Sequence, residues 1–470
     1  MANVLAVIAL LSLTLGHSSA SAQPRPDTPD AELLFTFEPG ELVETFSAGP
    51  ITAHFTRAGS NAVPNTDADD NGVPDFVEEV ASQYVEALAF YESEGFAAPL
   101  ADSAGGDAGL DVYLLDLFGS ADGSYQRDDC DTSGCRGYMV HENDFVGYGY
   151  PSLRVANRIV ASHELFHAIQ AAYAPTLGSV FSEGTATWAT ERFDGSLRDF
   201  DSAIGGYLAD PERPLDSDVA GAVLDRFAYG SALFFRFLEE RFGAHVVHSL
   251  VEAHGGDASF LGPLESVLAA EGTSFAEAWV EHVRWNLWAG SDGDGDGYAE
   301  GPSYPRVTPR EVSLPLVEER PRHFHAAARY YRVDAGPRET IVAELLGELE
   351  GLVLFAGLEH EGEQRTVDAV EGRLELVDAA GATVWLVVVN PALEGPSARA
   401  SICAGDAAEV ATCRDALSPP ELVDAGVPVD ASVPTDDPSG GGCGAAGGPP
   451  SGAWFAIGWG LVATRRRARR

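Results

Sequence analysis

The chain has 470 residues, with 29 arginines, no lysine and 72 aspartates and glutamates, for a net charge of −43. That length predicts roughly two or three domains with cores of their own, and a hydrophobic share of 45% excludes general disorder. The acid excess excludes a general polyanion binder, so nucleic acid is not an expected partner: phosphate backbones need a basic face.

The first element is an apolar run from Val4 to Gly16, too short to cross a bilayer and followed by the small residues Ala20-Ser21-Ala22. Residues 1–22 therefore read as a signal peptide cut before Gln23, although its start carries no Lys or Arg. Residues 23–60 are a propeptide or the start of the fold, with weak β alternation from Ala31 to Thr56. Apolar spacing predicts a helix over Phe76–Glu92, a strand over Leu110–Leu117 and a second strand over Gly137–Glu142, read as an edge that pairs with an extended peptide. Helices are expected over Leu153–Tyr173, Gly230–Phe242 and Ser274–Trp288. After Pro305 short strands alternate with Gly-rich turns, at Tyr330–Val333, Thr340–Leu346, Leu352–Leu358, Arg373–Val377 and Thr383–Asn390. The expected fold class is thus α+β over residues 61–305, followed by a small all-β sandwich over residues 306–414. Residues 415–442 are rich in Pro, Ser, Gly and Asp and read as a disordered linker.

The Leu153–Tyr173 helix carries His163-Glu164-Leu165-Phe166-His167. Residues at i and i+4 share a helical face, so both imidazoles can hold one zinc ion while Glu164 reaches a water as general base. A catalytic zinc needs a third protein ligand and an open position. Gln170 and Tyr173 stand where the elongated motif requires Gly and His, which excludes the metzincin pattern. Glu183, in Phe181-Ser182-Glu183-Gly184-Thr185-Ala186-Thr187-Trp188, is the candidate third ligand, on a second helix starting near a Ser182 N-cap; Glu191 competes with it.

Two acidic loops suggest calcium. Residues 67–78 place Asp67, Asp69, Asn71, Val73 (through its carbonyl), Asp75 and Glu78 at the ligand positions of a twelve-residue loop, with Gly72 at the turn. Asp292, Asp294 and Asp296 repeat the beginning of that pattern without a carboxylate at its end. Cys130 with Cys135, and Cys403 with Cys413, read as local disulfides of an oxidising compartment, leaving Cys443 over.

The segment around Glu183 resembles the third-ligand segment of gluzincin peptidases. That resemblance implies a tyrosine from a later helix as oxyanion donor, here Tyr229. Together, Asp67–Glu78, the strand around Asp111, His163–Gln170, Phe181–Trp188 and Tyr229–Gly243 resemble secreted metalloproteases of myxobacteria and related bacteria, which implies a zincin-like fold, zinc and proteolysis. Residues 443–470, with Gly-Cys at 442–443, the apolar Ala453–Ala463 and arginines at 465–467 and 469–470, resemble the myxobacterial sorting signal MYXO-CTERM. This implies transient membrane anchoring through the hydrophobic segment, action of a sorting peptidase near Cys443, and display at the outer membrane or release outside the cell. The expected function is a cell-surface zinc endopeptidase with calcium-stabilised loops, acting on polypeptide. The alternatives are a non-catalytic calcium-stabilised adhesion protein on a peptidase scaffold, or another zinc hydrolase such as an aminopeptidase or amidase.

Overall fold

A computed structural model describes residues 24–29, 31–101, 109–132, 134–218, 225–256, 259–291 and 297–417. The signal-peptide reading, Asp292, Asp294, Asp296, Cys443 and the C-terminal segment lie outside these residues. The fold is mixed α+β.

Strands β1 (Glu44–Ala48) and β2 (Ile51–Phe55) form a hairpin that leads through helix α1 (Asp75–Ser93) into β3 (Leu110–Leu115). A second hairpin, β4 (Gly123–Cys130) and β5 (Cys135–Glu142), is closed by the Cys130–Cys135 disulfide. The sheet order is β1-β2-β3-β5-β4, with β2, β3 and β5 parallel and the two outer strands antiparallel to their neighbours. Central parallel strands are covered on both faces, so they read as unbroken apolar runs. In β3, Leu110, Val112 and Leu114 face the helices, while Tyr113 and Leu115 pack with Phe35, Phe37 and Tyr138 on the reverse face. Residues ahead of β1 therefore help cover the sheet. Buried Arg25 anchors them, bonding Asp111 at 3.0 Å, pairing with Asp128 and lying over the Tyr138 ring. The strand read as an edge is interior: β5 is bonded by β3 on one side and β4 on the other, and β4 forms the edge.

Helix α2 (Leu153–Tyr173) begins where the Ser152 side chain accepts a hydrogen bond from the Val155 amide. It is buried from Ile159 to Phe166, as expected for a helix covered on every side. Next come α3 (Ser179–Phe193), α4 (Asp199–Leu208), α5 (Arg226–Gly230), α6 (Ala232–Phe242), α7 (Ala244–Ala253), α8 (Leu261–Ala270) and α9 (Phe275–Trp288). Helix α3 starts a turn earlier than expected, capped at Gly178, and Ser182 lies inside it.

Strands β6 (Arg310–Glu311), β7 (Leu316–Glu318), β8 (Arg322–His323), β9 (Ala327–Asp334), β10 (Thr340–Gly347), β11 (Val353–His360), β12 (Glu363–Asp368), β13 (Arg373–Val377), β14 (Thr383–Asn390) and β15 (Ala398–Gly405) build two sheets. One runs β13-β10-β15-β7, with β8 also on β15; the other runs β12-β11-β14-β9-β6. The two share a core that includes Tyr331, Ile341, Leu354, Leu376, Leu386 and Ile402. Helix α10 (Ala407–Leu417) is tied to β15 by the Cys403–Cys413 disulfide and carries regular structure to Leu417, past the expected end of the β region at 414. Along β14, Val384, Leu386 and Val388 enter the core between the sheets, while Trp385, Val387 and Val389 join the core of the helices. That is the period-two alternation of a strand buried on both faces. Gly357 permits the approach, because a side chain there would strike Leu287 and Trp288 of α9.

Candidate metal centre

The chemistry sits where α2 passes beneath the edge strand β4 and faces α3. One turn of α2 separates His163 from His167, whose Nε2 atoms are 3.1 Å apart. Glu183 Oε2, from α3, lies 3.2 Å from His163 Nε2 and 3.4 Å from His167 Nε2. Three donors bound at about 2.0–2.1 Å around a tetrahedral ion stand about 3.3–3.4 Å from one another. The set therefore fits zinc in size and donor type. Glu191 lies two turns further along α3, outside the cluster, near Arg236 and Asp201.

Gln170 fixes the tautomer of His167. Its amide nitrogen donates to the Ser182 carbonyl at 2.8 Å and to Thr185 Oγ1 at 2.7 Å, so its oxygen must face His167 Nδ1, 2.8 Å away. Nδ1 then carries a hydrogen, which leaves Nε2 as the atom that would give its lone pair to a metal ion in place of a proton. Ser182 contributes from within the helix, its hydroxyl 3.2 Å from His167 Nδ1.

The electrostatics favour a cation at the centre. Burial alone would lower the His167 pKa, but the charge and hydrogen bond of Glu183 overcome this and raise it to about 9. Burial would raise Glu183, yet the charges and hydrogen bonds of His167 and His163 hold it well below the usual carboxylate range. Glu164, buried beside the pair, is raised by desolvation against the lowering influence of both histidines. Tyr229, in α5, stacks on the His163 ring with centroids 5.8 Å apart. Burial, followed by the charges of Glu183 and Glu164, pushes its pKa up, so its hydroxyl stays protonated.

Two glycines set the spacing. A Cβ at Gly123 would come within 2.8 Å of Glu164 Cγ and 2.6 Å of Val160, so β4 crosses α2 only because this residue has no side chain. A Cβ at Gly184 would lie 2.2 Å from Ser231 Oγ, which explains why a glycine follows Glu183 where α3 meets α6. A cleft of about 450 Å³ opens beside His163, Glu164 and Tyr229. Its walls include Asp122, whose carboxylate bonds the Tyr150 hydroxyl, and Asp199 at the start of α4. Sequence reasoning missed Gln170 as a partner, although its i+3 spacing from His167 was a usable signal. Gly123, Asp122 and Asp199 carry no local sequence signal.

The loop ahead of α1 gathers Asp67, Asp69 and Asp75, whose oxygens lie within 4.8 Å of one another. The Asn71 side chain bonds Asp69 and Glu78, and the Asn71 and Gly72 amides bond Asp67. Val73 follows, its amide bonded to Asn71 Oδ1, and Gly72 takes φ +92°. The segment before the loop is not helical, as expected.

No family model matches the chain, and no curated protein does. Among solved structures, it is similar to the pre-peptidase C-terminal domain of a collagenase from Bacillus anthracis, at 13% identity and TM-score 0.18, over 21% of this chain and 95% of that one. It is also similar to PliG of Aeromonas hydrophila, a periplasmic inhibitor of g-type lysozyme, at 12% identity and TM-score 0.15, over 21% and 98% of the two chains. Likenesses this slight carry no weight for fold or function.

Proposed function

We propose that the protein is a zinc-dependent endopeptidase on a zincin-like scaffold, exported and held at the cell surface by its C-terminal sorting segment. The observation that carries this reading is the triangle of His163, His167 and Glu183 donors, 3.1–3.4 Å on a side, with buried Glu164 beside it at the cleft. His163, His167 and Glu183 would hold the ion, which when bound polarises a carbonyl and makes a water more acidic. Glu164 takes a proton from the attacking water and delivers it to the leaving nitrogen. The protonated Tyr229 hydroxyl donates to the oxyanion that develops on the scissile carbonyl. Strand β4, the edge of its sheet beside Glu164, turns its outer side toward the place where an extended peptide would align. The 67–78 loop would hold calcium through Asp67, Asp69, Asn71, the Val73 carbonyl, Asp75 and Glu78, and so stiffen the entrance to α1.

The test is zinc content together with casein cleavage for the purified wild type and Glu164→Gln. We expect one zinc per chain in both proteins, and cleavage reduced by about 10²–10⁴-fold in the variant. A wild type without bound zinc, or a variant that cleaves as well as the wild type, would sink the proposal.

A further inference from the structure

We propose that the cleft selects peptides carrying an arginine or lysine side chain, and that Asp199 is the residue that reads the charge. This inference rests on the proteolytic reading above and adds a substrate class to it. Asp199 begins α4 on the cleft wall, and its carboxylate forms no hydrogen bond or ion pair with any described residue. Asp122 lies on the same wall, with one oxygen engaged by Tyr150.

Asp199 is half-buried, so its carboxylate keeps part of its hydration, and its charged neighbours are His163 and Asp122. A cationic side chain entering the cleft would replace that water with a charge-assisted hydrogen bond. A neutral or acidic side chain would leave the carboxylate uncompensated. The cleft also suits the stem of such a residue. Ile159 and Val160, one turn before His163 and Glu164 on α2, form an apolar wall that carries methylene groups past the reacting centre. At about 450 Å³ the space falls within the range of ligand pockets, roughly 300–1,000 Å³.

Arg226 is the cation of this wall, but it is exposed at the rim and forms no ion pair among the described residues. Asp122 and Asp199 are half-buried while Arg226 is exposed, and with Glu164 the carboxylates of the wall outnumber its guanidinium. The net charge of −43 adds a long-range field that concentrates cationic peptides near the molecule.

The experiment uses the intact zinc-loaded protein and internally quenched peptides, identical except for Arg, Lys, norleucine or Glu placed in turn at each position around the cleaved bond. At one position we expect the wild type to favour Arg and Lys over norleucine by roughly 10- to 100-fold in kcat/KM. Asp199→Asn should bring that ratio close to one with zinc content unchanged. In parallel, calorimetry with Glu164→Gln should show tighter binding of the Arg peptide than of the norleucine peptide, a reading that requires no turnover. Cleavage with no basic preference, or with an acidic one that points to Arg226, overturns the proposal. So does an Asp199→Asn protein that loses zinc and slows on every peptide alike, because Asp199 would then act through His163. If the wild type cleaves nothing, the proteolytic reading fails instead. The binding comparison still decides this one, and equal affinity for the two peptides would end it.

Discussion

At the scale of single residues, the His163, His167 and Glu183 cluster depends on groups outside the three donors. Gln170 is the clearest case. It occupies the position that excluded one peptidase pattern in the sequence, and in the fold it holds the His167 ring by hydrogen bonds that fix both ends of its own amide. Losing a partner of this kind typically costs 10- to 100-fold in metal affinity. Gln170→Met keeps the volume but lacks the acceptor, so zinc affinity measured against a competing chelator should fall by roughly that factor, as it should for Gln170→Ala. If the methionine variant binds zinc as tightly as the wild type, Gln170 serves only to fill space. His163, Glu164, His167 and Glu183 were legible because helical spacing alone puts the first three together and a short local pattern marks the fourth. Gly123 and Asp199 were not legible, because each reaches the centre from an element brought there only by the tertiary fold.

At the scale of elements, segments with an unbroken apolar period are readable and those without one are not. Helices α1 and α2 and strands β13 and β14 fall within about a residue of their expected limits, since each carries an unbroken periodic pattern. Strand β4, with the polar sequence Gly-Ser-Tyr-Gln-Arg-Asp-Asp-Cys, has no apolar alternation and is held by β5 and a disulfide, so nothing local announces it. The edge was consequently assigned to its neighbour. The loop before α1 is a junction of the same kind. Pro74 at the N-cap of α1 provides no side-chain hydrogen bond, and Asp75 and Glu78 crowd the first turn with Asp67 and Asp69 close by. Carboxylates at a helix N-terminus favour the helix dipole, yet they repel one another. A calcium ion would relieve that repulsion and tie the turn to the loop. Adding calcium to the calcium-free protein should raise Tm by several degrees, with stabilisation growing as the ion exceeds its Kd. Asp67→Ala combined with Asp69→Ala should abolish the increase. A Tm that is independent of calcium in the wild type would remove the site.

At the scale of the molecule, the helices and the β region are joined by one continuous apolar core, in which Ala328, Tyr330, Phe355 and Trp385 pack with the residues of α4 to α9. Near its middle lies His282 of α9, fully buried. It bonds the Tyr207 hydroxyl at 2.9 Å, the Asn286 amide at 3.0 Å and the Tyr298 hydroxyl at 3.0 Å. Desolvation lowers its pKa to about 3. His141 of β5, between Tyr84 and Asn157, is likewise lowered by burial, to about 4. Both are neutral in the folded protein at pH values where an unfolded histidine, with a pKa of about 6.5, already takes up a proton. The unfolded state therefore binds more protons, and stability rises with pH. The contribution is complete above about pH 6.5 and is lost as pH falls toward the folded values. Well below pH 6.5, and above the folded pKa values, each histidine should cost about 1.4 kcal/mol of unfolding free energy per pH unit. Carboxylates held low by arginine, such as Glu212 and Glu344, lose their contribution only at more acid pH. Between pH 7 and 5 the two histidines draw stability down as pH falls, while Glu191, raised by burial to about 7, works in the opposite direction, so the histidine share is read by comparing urea unfolding of the wild type with that of a histidine variant. In His282→Gln, whose amide still meets the surrounding hydroxyls, the slope should be shallower by the share of one histidine. A variant with the wild-type slope would mean that His282 takes up its proton in the folded core as readily as in water.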